Sequence, residues 1–403
     1  MAQIGWAKRT MVALIAVGGL SLSTACSCHL CGNSDAVESS PATTVPTRAA
    51  GAGHEPIVQF GQTSPDGTAP AAGDVNVFGE MKGVKVAQVR ASGEANFQQH
   101  TYVEQGYDAD VTVDPTGKFL AFASTRDNEH TNLYLQRTDG AAVVQLTAGS
   151  ADDANPSFSP DGRQIAFAST RAGNWQIFLM TVDGKSVTQI TTGPMQAIHP
   201  TWSPDGNRLA FAALGSKSGQ WELWTVNLQT NEKRMIGYGL FPNWSPSRDV
   251  DRIAFQRPRQ RGSRWFSLWT LDLIDGEATH VTEVVLSSNA AVVSPSWSPD
   301  GRRLAFATVM EPNKVLPPHV RGRTDIWVVK ADGTERQRIT DGIGINLTPC
   351  WAADSRIFFV SDRGGAECVW SARGEVNSVF TADAKKEPAR QQAADAKDPG
   401  AAN

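Results

Sequence analysis

Short apolar runs recur along this chain at similar intervals, and turn residues flank each of them. Five of these runs, each reading aliphatic-Ala-Phe, begin at Leu120, Ile165, Leu209, Ile253 and Leu304. A strand that is apolar on both faces is typical of a sheet packed between two other sheets. The pattern therefore predicts a core built from many short strands.

A longer repeated phrase surrounds each run and sets the architecture. An aromatic or β-branched anchor comes first, then a turn that reads Pro-Asp-Gly in three copies, then the apolar run. The anchors are Val113, Phe158, Trp202, Trp244, Trp297 and Trp351, with separations of 45, 44, 42, 53 and 54 residues. This spacing is the length of one four-stranded propeller blade.

The rest of each repeat also fits a blade. A third strand follows each apolar run and carries a further aromatic residue, which is Tyr134, Phe178, Trp224, Trp269, Trp327 or Trp370. Six copies predict an all-β fold, a six-bladed β-propeller, and a seventh, partial blade is the alternative.

The ring of blades needs closing, because an open sheet edge leaves strand hydrogen bonds unpaired. The segment 84–101 has the apolar, turn, apolar form of a third and fourth strand. We expect it to add outer strands to the last blade, and the segment 376–380 is the competing candidate.

The ends of the chain differ in composition from the repeats. Lys8 and Arg9 precede an apolar run that is too short to span a bilayer, which is typical of an export signal. Small residues then lead to Cys26, which we expect to be lipidated. The predicted segments are a signal peptide at 1–25, a flexible, disordered tether at 26–73, the propeller at 74–381 and a disordered tail at 382–403.

Composition and charge limit the partners of the protein. The 403 residues include 36 Gly, 22 Pro and 12 Trp, which suits many turns and many large core side chains. The formal net charge of −4 gives no overall attraction to nucleic acid, so no nucleic-acid partner is expected. Five Cys are too few for a disulfide framework in a chain of this length.

Three copies of Ser-Pro-Asp-Gly, at 159–162, 203–206 and 298–301, carry a resemblance to a known family. The repeats resemble the Pro-Asp (WD-like) repeats of TolB-like β-propellers. The resemblance implies a non-enzymatic docking scaffold of the cell envelope, and we expect an exported, periplasmic monomer without a required cofactor. Such a scaffold binds envelope proteins or an anionic envelope polymer, and here the lipid on Cys26 would hold it at a membrane.

Two other functions remain open at this stage. Similar repeats occur in oligogalacturonate lyases, which hold a metal in the propeller channel, so a metal-dependent enzyme acting on acidic sugars is one alternative. Similar repeats also precede the hydrolase domain of some serine peptidases, so a peptidase-type propeller without its hydrolase is the other. No Gly-x-Ser-x-Gly motif occurs in this sequence.

One sector of the predicted propeller is basic, although the chain as a whole is acidic. The connections between second and third strands correspond to 256–265 in the fourth repeat and 310–324 in the fifth, both longer than in the second repeat. Their cationic residues are Arg257, Arg259, Arg261, Arg264, Lys314, Arg321 and Arg323. We expect this sector to bind an anionic partner, and a solvated pair of loops is the alternative.

Acidic residues and one histidine lie near the start of the first strands, where a propeller channel opens. We expect Asp108, Asp110, Asp153 and His199 at the channel mouth. Three carboxylates can hold a hard cation, which makes Asp108, Asp110 and Asp153 candidate Ca²⁺ ligands, and solvated loop acids are the alternative. The lone His199 is expected to be structural.

Overall fold

A computed structural model describes residues 97–258, 266–287, 290–310 and 324–373. These residues form six four-stranded antiparallel sheets, which confirms the six-bladed propeller. The predicted signal peptide, tether, lipidated Cys26 and tail lie outside the described residues. The described part of the chain contains no helix that is long and apolar enough to cross a membrane.

Each blade takes its four strands in chain order, except the last. Blade 1 consists of β2 (Asp108–Val113), β3 (Phe119–Ser124), β4 (Asn132–Arg137) and β5 (Val143–Gln145). Blade 2 consists of β6 (Asp153–Phe158), β7 (Gln164–Ser169), β8 (Gln176–Thr181) and β9 (Val187–Gln189). Blade 3 consists of β10 (Ala197–Trp202), β11 (Arg208–Leu214), β12 (Trp221–Asn227) and β13 (Lys233–Tyr238).

The second half of the ring has longer strands. Blade 4 consists of β14 (Leu240–Trp244), β15 (Arg252–Pro258), β16 (Phe266–Ile274) and β17 (Glu277–Val285). Blade 5 consists of β18 (Ala290–Trp297), β19 (Arg303–Met310), β20 (Thr324–Lys330) and β21 (Gln337–Arg338). Blade 6 consists of β22 (Asn346–Trp351), β23 (Arg356–Ser361), β24 (Cys368–Arg373) and β1 (Gln98–Gln99).

The hydrophobic core lies between blades. Each first strand contacts the first strand of the next blade, and β22 contacts β2 to complete the circle. One buried cluster, for example, joins Leu133 of blade 1 to Ile165 and Met180 of blade 2. Another joins Leu268 of blade 4 to Trp297 and Phe306 of blade 5. The apolar second strands are therefore buried on both faces by stacking, as the sequence pattern predicts.

The aromatic residues of the repeat pair across neighbouring strands in every blade. Each second-strand phenylalanine stands opposite the third-strand aromatic residue, as Phe122–Tyr134, Phe167–Phe178, Phe211–Trp224, Phe255–Trp269, Phe306–Trp327 and Phe359–Trp370. Aromatic pairs directly opposite each other stabilise a sheet beyond the area that they bury. The register confirms that the six repeats are structurally equivalent.

The tryptophan anchors also fasten one blade to the previous one. The indole Nε1 of Trp202 donates to the Ser157 carbonyl at 3.0 Å, and that of Trp297 donates to the Asn243 carbonyl at 3.0 Å. Both side chains are buried. Each ring therefore fills an interface and satisfies its only polar atom there.

The ring closes through the segment that the sequence analysis selected. Strand β1 pairs antiparallel with β24 and forms the outer edge of blade 6. The next residue, His100, places Nε2 at 2.8 Å from Ser371 Oγ and Nδ1 at 3.2 Å from the Thr138 carbonyl. His100 therefore joins the closing strand to blades 6 and 1. The rest of the predicted clasp and the competing segment 376–380 lie outside the described residues.

The Asp residues of the Pro-Asp-Gly turns serve their own turns. In each of the three copies the carboxylate accepts a hydrogen bond from the serine two residues before it and from the backbone N–H two residues after it. The residues are Asp161, Asp205 and Asp300. Such local acceptors stabilise a tight turn.

Loss of an interblade tryptophan is expected to destabilise the whole ring. Trp297→Ala removes a buried ring and leaves the Asn243 carbonyl without its donor, so the free energy of unfolding should fall by roughly 3–5 kcal/mol. The measurement is urea unfolding followed by circular dichroism. The control Val144→Thr, at a side chain that is 57% exposed, should change stability by less than about 0.5 kcal/mol. A loss below about 1 kcal/mol for Trp297→Ala would contradict interblade packing as the main source of stability.

The closing contact is expected to make stability pH-dependent. Burial, aided by the nearby Arg356, lowers the pKa of His100 to about 4 from the ordinary value of 6.5. Between about pH 6.5 and about pH 4, the His100 imidazole therefore binds a proton in the unfolded chain but not in the folded chain. The free energy of unfolding falls as the pH drops through this range. His100→Gln should flatten this part of the curve of unfolding free energy against pH. An unchanged slope would show that His100 does not contribute to it.

Candidate functional site

The first strand of every blade contains a β-bulge at the same position of the repeat. The strand register shifts there in all six blades. The residue at the bulge has a φ near +50° in each case, and these residues are Asp110, Asn155, His199, Phe241, Ser294 and Thr348. Proline follows in five of the six. A bulge tolerates proline because the missing N–H has no ladder partner to lose.

The six bulge residues together line one cavity of about 130 Å³, which all six first strands enclose. We call these six residues the channel ring. The five prolines, Val111 and five of the six residues that follow them complete the lining. Because φ near +50° is uncommon outside glycine and recurs in every blade, it is a property of the fold. The chemistry of the channel therefore depends on which side chain each blade places in the ring.

One side of the channel ring is a connected polar arc. Asp110 Oδ2 accepts hydrogen bonds from the backbone N–H of Asn155 at 3.2 Å and from its side-chain Nδ2 at 2.9 Å. Asn155 Oδ1 in turn accepts from the backbone N–H of His199 at 3.4 Å. Burial raises the pKa of Asp110 to about 6, although both bonds from Asn155 favour the ionised form. Loss of solvation is thus the dominant effect on this carboxyl group.

The other side of the channel ring is aromatic and incompletely hydrogen-bonded. The imidazole of His199 packs against the Phe241 ring with 4.1 Å between ring centroids. Burial lowers the pKa of His199 to about 3, so its imidazole is neutral at physiological pH. His199 Nδ1 and Thr348 Oγ1 are both buried, and neither has a hydrogen-bond partner among the described residues.

The structure divides the four residues predicted at the channel mouth into two pairs. Asp110 and His199 line the channel, whereas Asp108 and Asp153 are absent from the lining residues that the structure describes. Asp108 pairs with Arg126 at 2.8 Å, and Asp153 pairs with Arg171 at 3.0 Å.

In the described part of the chain, no group of three or more His, Cys, Asp or Glu residues is arranged to hold a metal ion, so the predicted calcium ligands are not brought together there. Asp108 and Asp153 are engaged within their own blades instead. Arg126 lies over the Phe122 ring at 5.0 Å, so its contacts satisfy the buried Asp108 and extend the aromatic pair of blade 1. Arg171 lies over Phe167 at 5.1 Å in blade 2 in the same way.

The basic sector is described only at its base. Arg257 lies in strand β15, with its guanidinium over the Trp269 ring at 5.2 Å from the centroid. The other predicted binding residues, Arg259, Arg261, Arg264, Lys314, Arg321 and Arg323, lie outside the described residues. The connection itself runs from 259 to 265 in blade 4 and from 311 to 323 in blade 5.

The interpretation of 256–265 as a connection was therefore partly wrong. Gln256, Arg257 and Pro258 belong to β15, because the extra residues of the fourth repeat lengthen its strands. The connection that remains is as long as the one in blade 1, residues 125–131. The connection of blade 5 is clearly longer than those of the other blades.

Sequence reasoning missed four members of the channel ring, although a signal for them exists. Asn155, Phe241, Ser294 and Thr348 each directly precede a proline that lies two residues before the aromatic anchor. Aligning the repeats on that proline selects the ring in five blades. The sequence analysis also missed Arg126 and Arg171, which pair with Asp108 and Asp153. Each arginine ends a Ser-Thr-Arg sequence, at 124–126 and 169–171, where the second strand of its blade ends.

A family model described as the TolB beta propeller domain matches residues 95–250 and again residues 240–395. The chain belongs to the TolB β-propeller domain family. This confirms the resemblance read from the Pro-Asp repeats, and the two matches together span the blades described above.

Curated relatives within this family match shorter stretches. A Tol-Pal system protein TolB of Alcanivorax borkumensis is 32% identical over 88 residues, which is 22% of this chain and 18% of that protein. An uncharacterized protein of Agrobacterium fabrum, Atu1656, is 31% identical over 204 residues, which is 48% of this chain and 52% of that protein. The chain thus matches about a fifth to a half of the length of these relatives.

A solved structure described as TolB of Agrobacterium tumefaciens shares the fold. It is 19% identical, with a TM-score of 0.51, over 66% of this chain and 90% of that one. At this level of identity the likeness supports the fold alone.

Replacement of the channel carboxylate is expected to stabilise the protein at neutral and alkaline pH. Asp110 has a pKa of about 6 in the folded chain against an ordinary value of 3.8, so its ionisation opposes folding above about pH 6 and not below about pH 4. Asp110→Asn keeps an oxygen that accepts from Asn155 and should raise the unfolding free energy at about pH 8 by roughly 1–3 kcal/mol. The gain should vanish near pH 3.5.

The matched control for this experiment is Asp108→Asn, which removes the charge that compensates Arg126 and should destabilise the protein. Urea unfolding at both pH values measures the two variants. A destabilising Asp110→Asn at about pH 8 would contradict the uncompensated carboxylate in the channel.

Proposed function

We propose that this chain is a non-enzymatic docking scaffold of the cell envelope that binds an acidic protein surface. The docking face is the one that carries the connections between second and third strands. Membership of the TolB β-propeller domain family supports an envelope scaffold, since two of its matched relatives are Tol-Pal system proteins. The partner of this chain is a proposal in its own right, because the match to those relatives is partial.

The observation that carries the proposal is the environment of Arg257. Its guanidinium is held over Trp269 at the edge of the blade 4 connection, and none of the ion pairs among the described residues involves it. Arg126, Arg171 and Arg208, in contrast, are each paired with an aspartate. An arginine fixed on an aromatic ring keeps its forked N–H groups available for a partner carboxylate.

The sequence of the two connections extends this cationic edge. Arg259, Arg261 and Arg264 follow Arg257 in blade 4, and Arg321 and Arg323 precede strand β20 in blade 5. Blades 4 and 5 share a buried cluster, so the bases of both connections are neighbours. Several arginines on one face of an acidic protein favour a protein interface, where arginine is enriched.

The location of the scaffold is part of the proposal. Residues 1–25 direct export, lipidation of Cys26 holds the protein at a membrane facing the periplasm, and residues 26–73 tether the propeller. The protein acts as a monomer. A lipid anchor with a flexible tether raises the local concentration of the propeller near its envelope partner.

Charge removal on the proposed docking face is expected to abolish partner capture. A variant with Arg257, Arg259, Arg261 and Arg264 all changed to Ser should lose at least about tenfold of its affinity for acidic envelope proteins. The measurement is capture from envelope extracts at low and high salt, with the bound proteins identified and their affinities measured singly. Capture by the wild type should weaken as salt rises.

The matched control removes four charges from the opposite face, where the Pro-Asp-Gly turns lie. Lys118, Arg163, Arg248 and Arg302 are exposed there, and their change to Ser should leave capture intact. Salt-insensitive capture that survives loss of the blade 4 arginines would sink the proposal. Binding to anionic vesicles or to cell-wall polymer without any protein partner would replace it with another anionic ligand.

A further inference from the structure

The central channel carries one carboxylate and no cationic side chain among its described lining residues. Five of the six blades place a proline directly after the ring residue, which removes a backbone N–H from the wall of the cavity. The ring side chains include a carboxylate at Asp110, a hydroxyl at Thr348 and a neutral imidazole at His199. A ligand that matches this wall must itself supply the positive charge.

The carboxylate of Asp110 has no countercharge within the described structure. Its Oδ2 accepts from Asn155, and no ion pair among the described residues includes Asp110. Oδ1 takes part in no hydrogen bond within the same residues and is not enclosed, so it faces the cavity. A buried anion without a partner is costly, and a cationic ligand would supply the missing charge.

Two further polar atoms of the same ring lack partners but are enclosed by the protein. Thr348, in blade 6, is the ring neighbour of Asp110 in blade 1, and its Oγ1 is buried and unpartnered among the described residues. His199 Nδ1 is also buried and unpartnered among the described residues, and Asn155 lies between His199 and Asp110 in the ring. Because both atoms are enclosed, Asp110 is the ring residue that presents a polar atom without a partner to the cavity.

The shape and remaining chemistry of the cavity limit the ligand further. The cavity of about 130 Å³ admits a small group or the end of a chain. The rings of Phe241 and His199 pack against each other and add an aromatic part to the lining. One carboxylate with an aromatic wall is a poor site for a hard metal ion, which prefers several oxygen ligands.

We propose that the channel ring binds a primary ammonium group, with Asp110 as its counterion. A primary ammonium supplies the positive charge that the described lining lacks, and its N–H groups can donate to the Asp110 carboxylate. Its alkyl chain lies along the Phe241 ring and the prolines. The site is separate from the proposed docking face, and the two proposals fail or succeed independently.

The test uses n-butylammonium as the probe, titrated into the full-length protein at about pH 8 by isothermal calorimetry. The wild type should show saturable binding, and Asp110→Asn should bind at least about tenfold more weakly, as expected for loss of a charge-assisted hydrogen bond. Thr348→Val, which removes an enclosed hydroxyl, serves as the matched control and should leave the affinity unchanged. Circular dichroism checks that both variants are folded, and n-butanol serves as the uncharged probe of the same shape.

The outcomes separate the possibilities. The proposal would be overturned if the wild type and Asp110→Asn bound n-butylammonium with equal affinity. It would also be overturned if the wild type bound n-butanol as tightly as n-butylammonium. If Ca²⁺ displaced n-butylammonium at a concentration below that of the amine, the proposal would also be overturned, in favour of a metal site. Tighter binding of Nα-acetyl-lysine methylamide than of n-butylammonium would support the proposal with a polypeptide lysine as the source, and the reverse order would support it with a free amine.

Discussion

Stacking between blades is the interaction on which the rest of this structure depends. A single four-stranded blade has apolar residues on both faces of its second strand and no second layer to cover them. The buried clusters accordingly join neighbouring blades, as when Phe167 and Phe178 of blade 2 pack with Leu133 of blade 1. No blade can therefore be removed without exposing two others, and the ring must close. Strand β1 meets this requirement with only two residues, supported by the buried His100.

Closure of the ring also determines where a functional site can form. The first strands converge on the axis, where their backbones would crowd one another, and each contains a bulge with φ near +50° at that point. The bulge is common to all blades, but the side chain on it is not. Asp110, Asn155, His199, Phe241, Ser294 and Thr348 differ in charge, size and polarity. The fold thus supplies six positions around one cavity, and the sequence assigns the chemistry at each.

The sequence predicted the parts of the fold that depend on local pattern and repetition. The anchors, the second-strand phenylalanines and the third-strand aromatics all occupy the predicted strands, because period and spacing follow directly from strand and blade geometry. The candidate site was predicted less well. Asp108 and Asp110 are two residues apart and looked equivalent, yet a bulge places Asp110 in the channel while Arg126 holds Asp108 within its blade. Such a difference depends on a register shift and on a distant arginine, which a pattern of apolar residues does not encode.

These two aspartates show how stability and function divide in this propeller. Asp108 is fully buried, but Arg126 neutralises it and Thr101 donates a hydrogen bond to it at 2.5 Å, so its charge is compensated inside the fold. Asp110 receives only the hydrogen bonds of Asn155, and burial raises its pKa to about 6. Asp110 opposes folding at neutral pH, and the other five blades carry uncharged side chains at the same position. Packing therefore does not explain the carboxylate. A ligand that supplies the countercharge would explain this cost in stability. Ionisable groups with strongly perturbed pKa values in clefts are concentrated at functional sites.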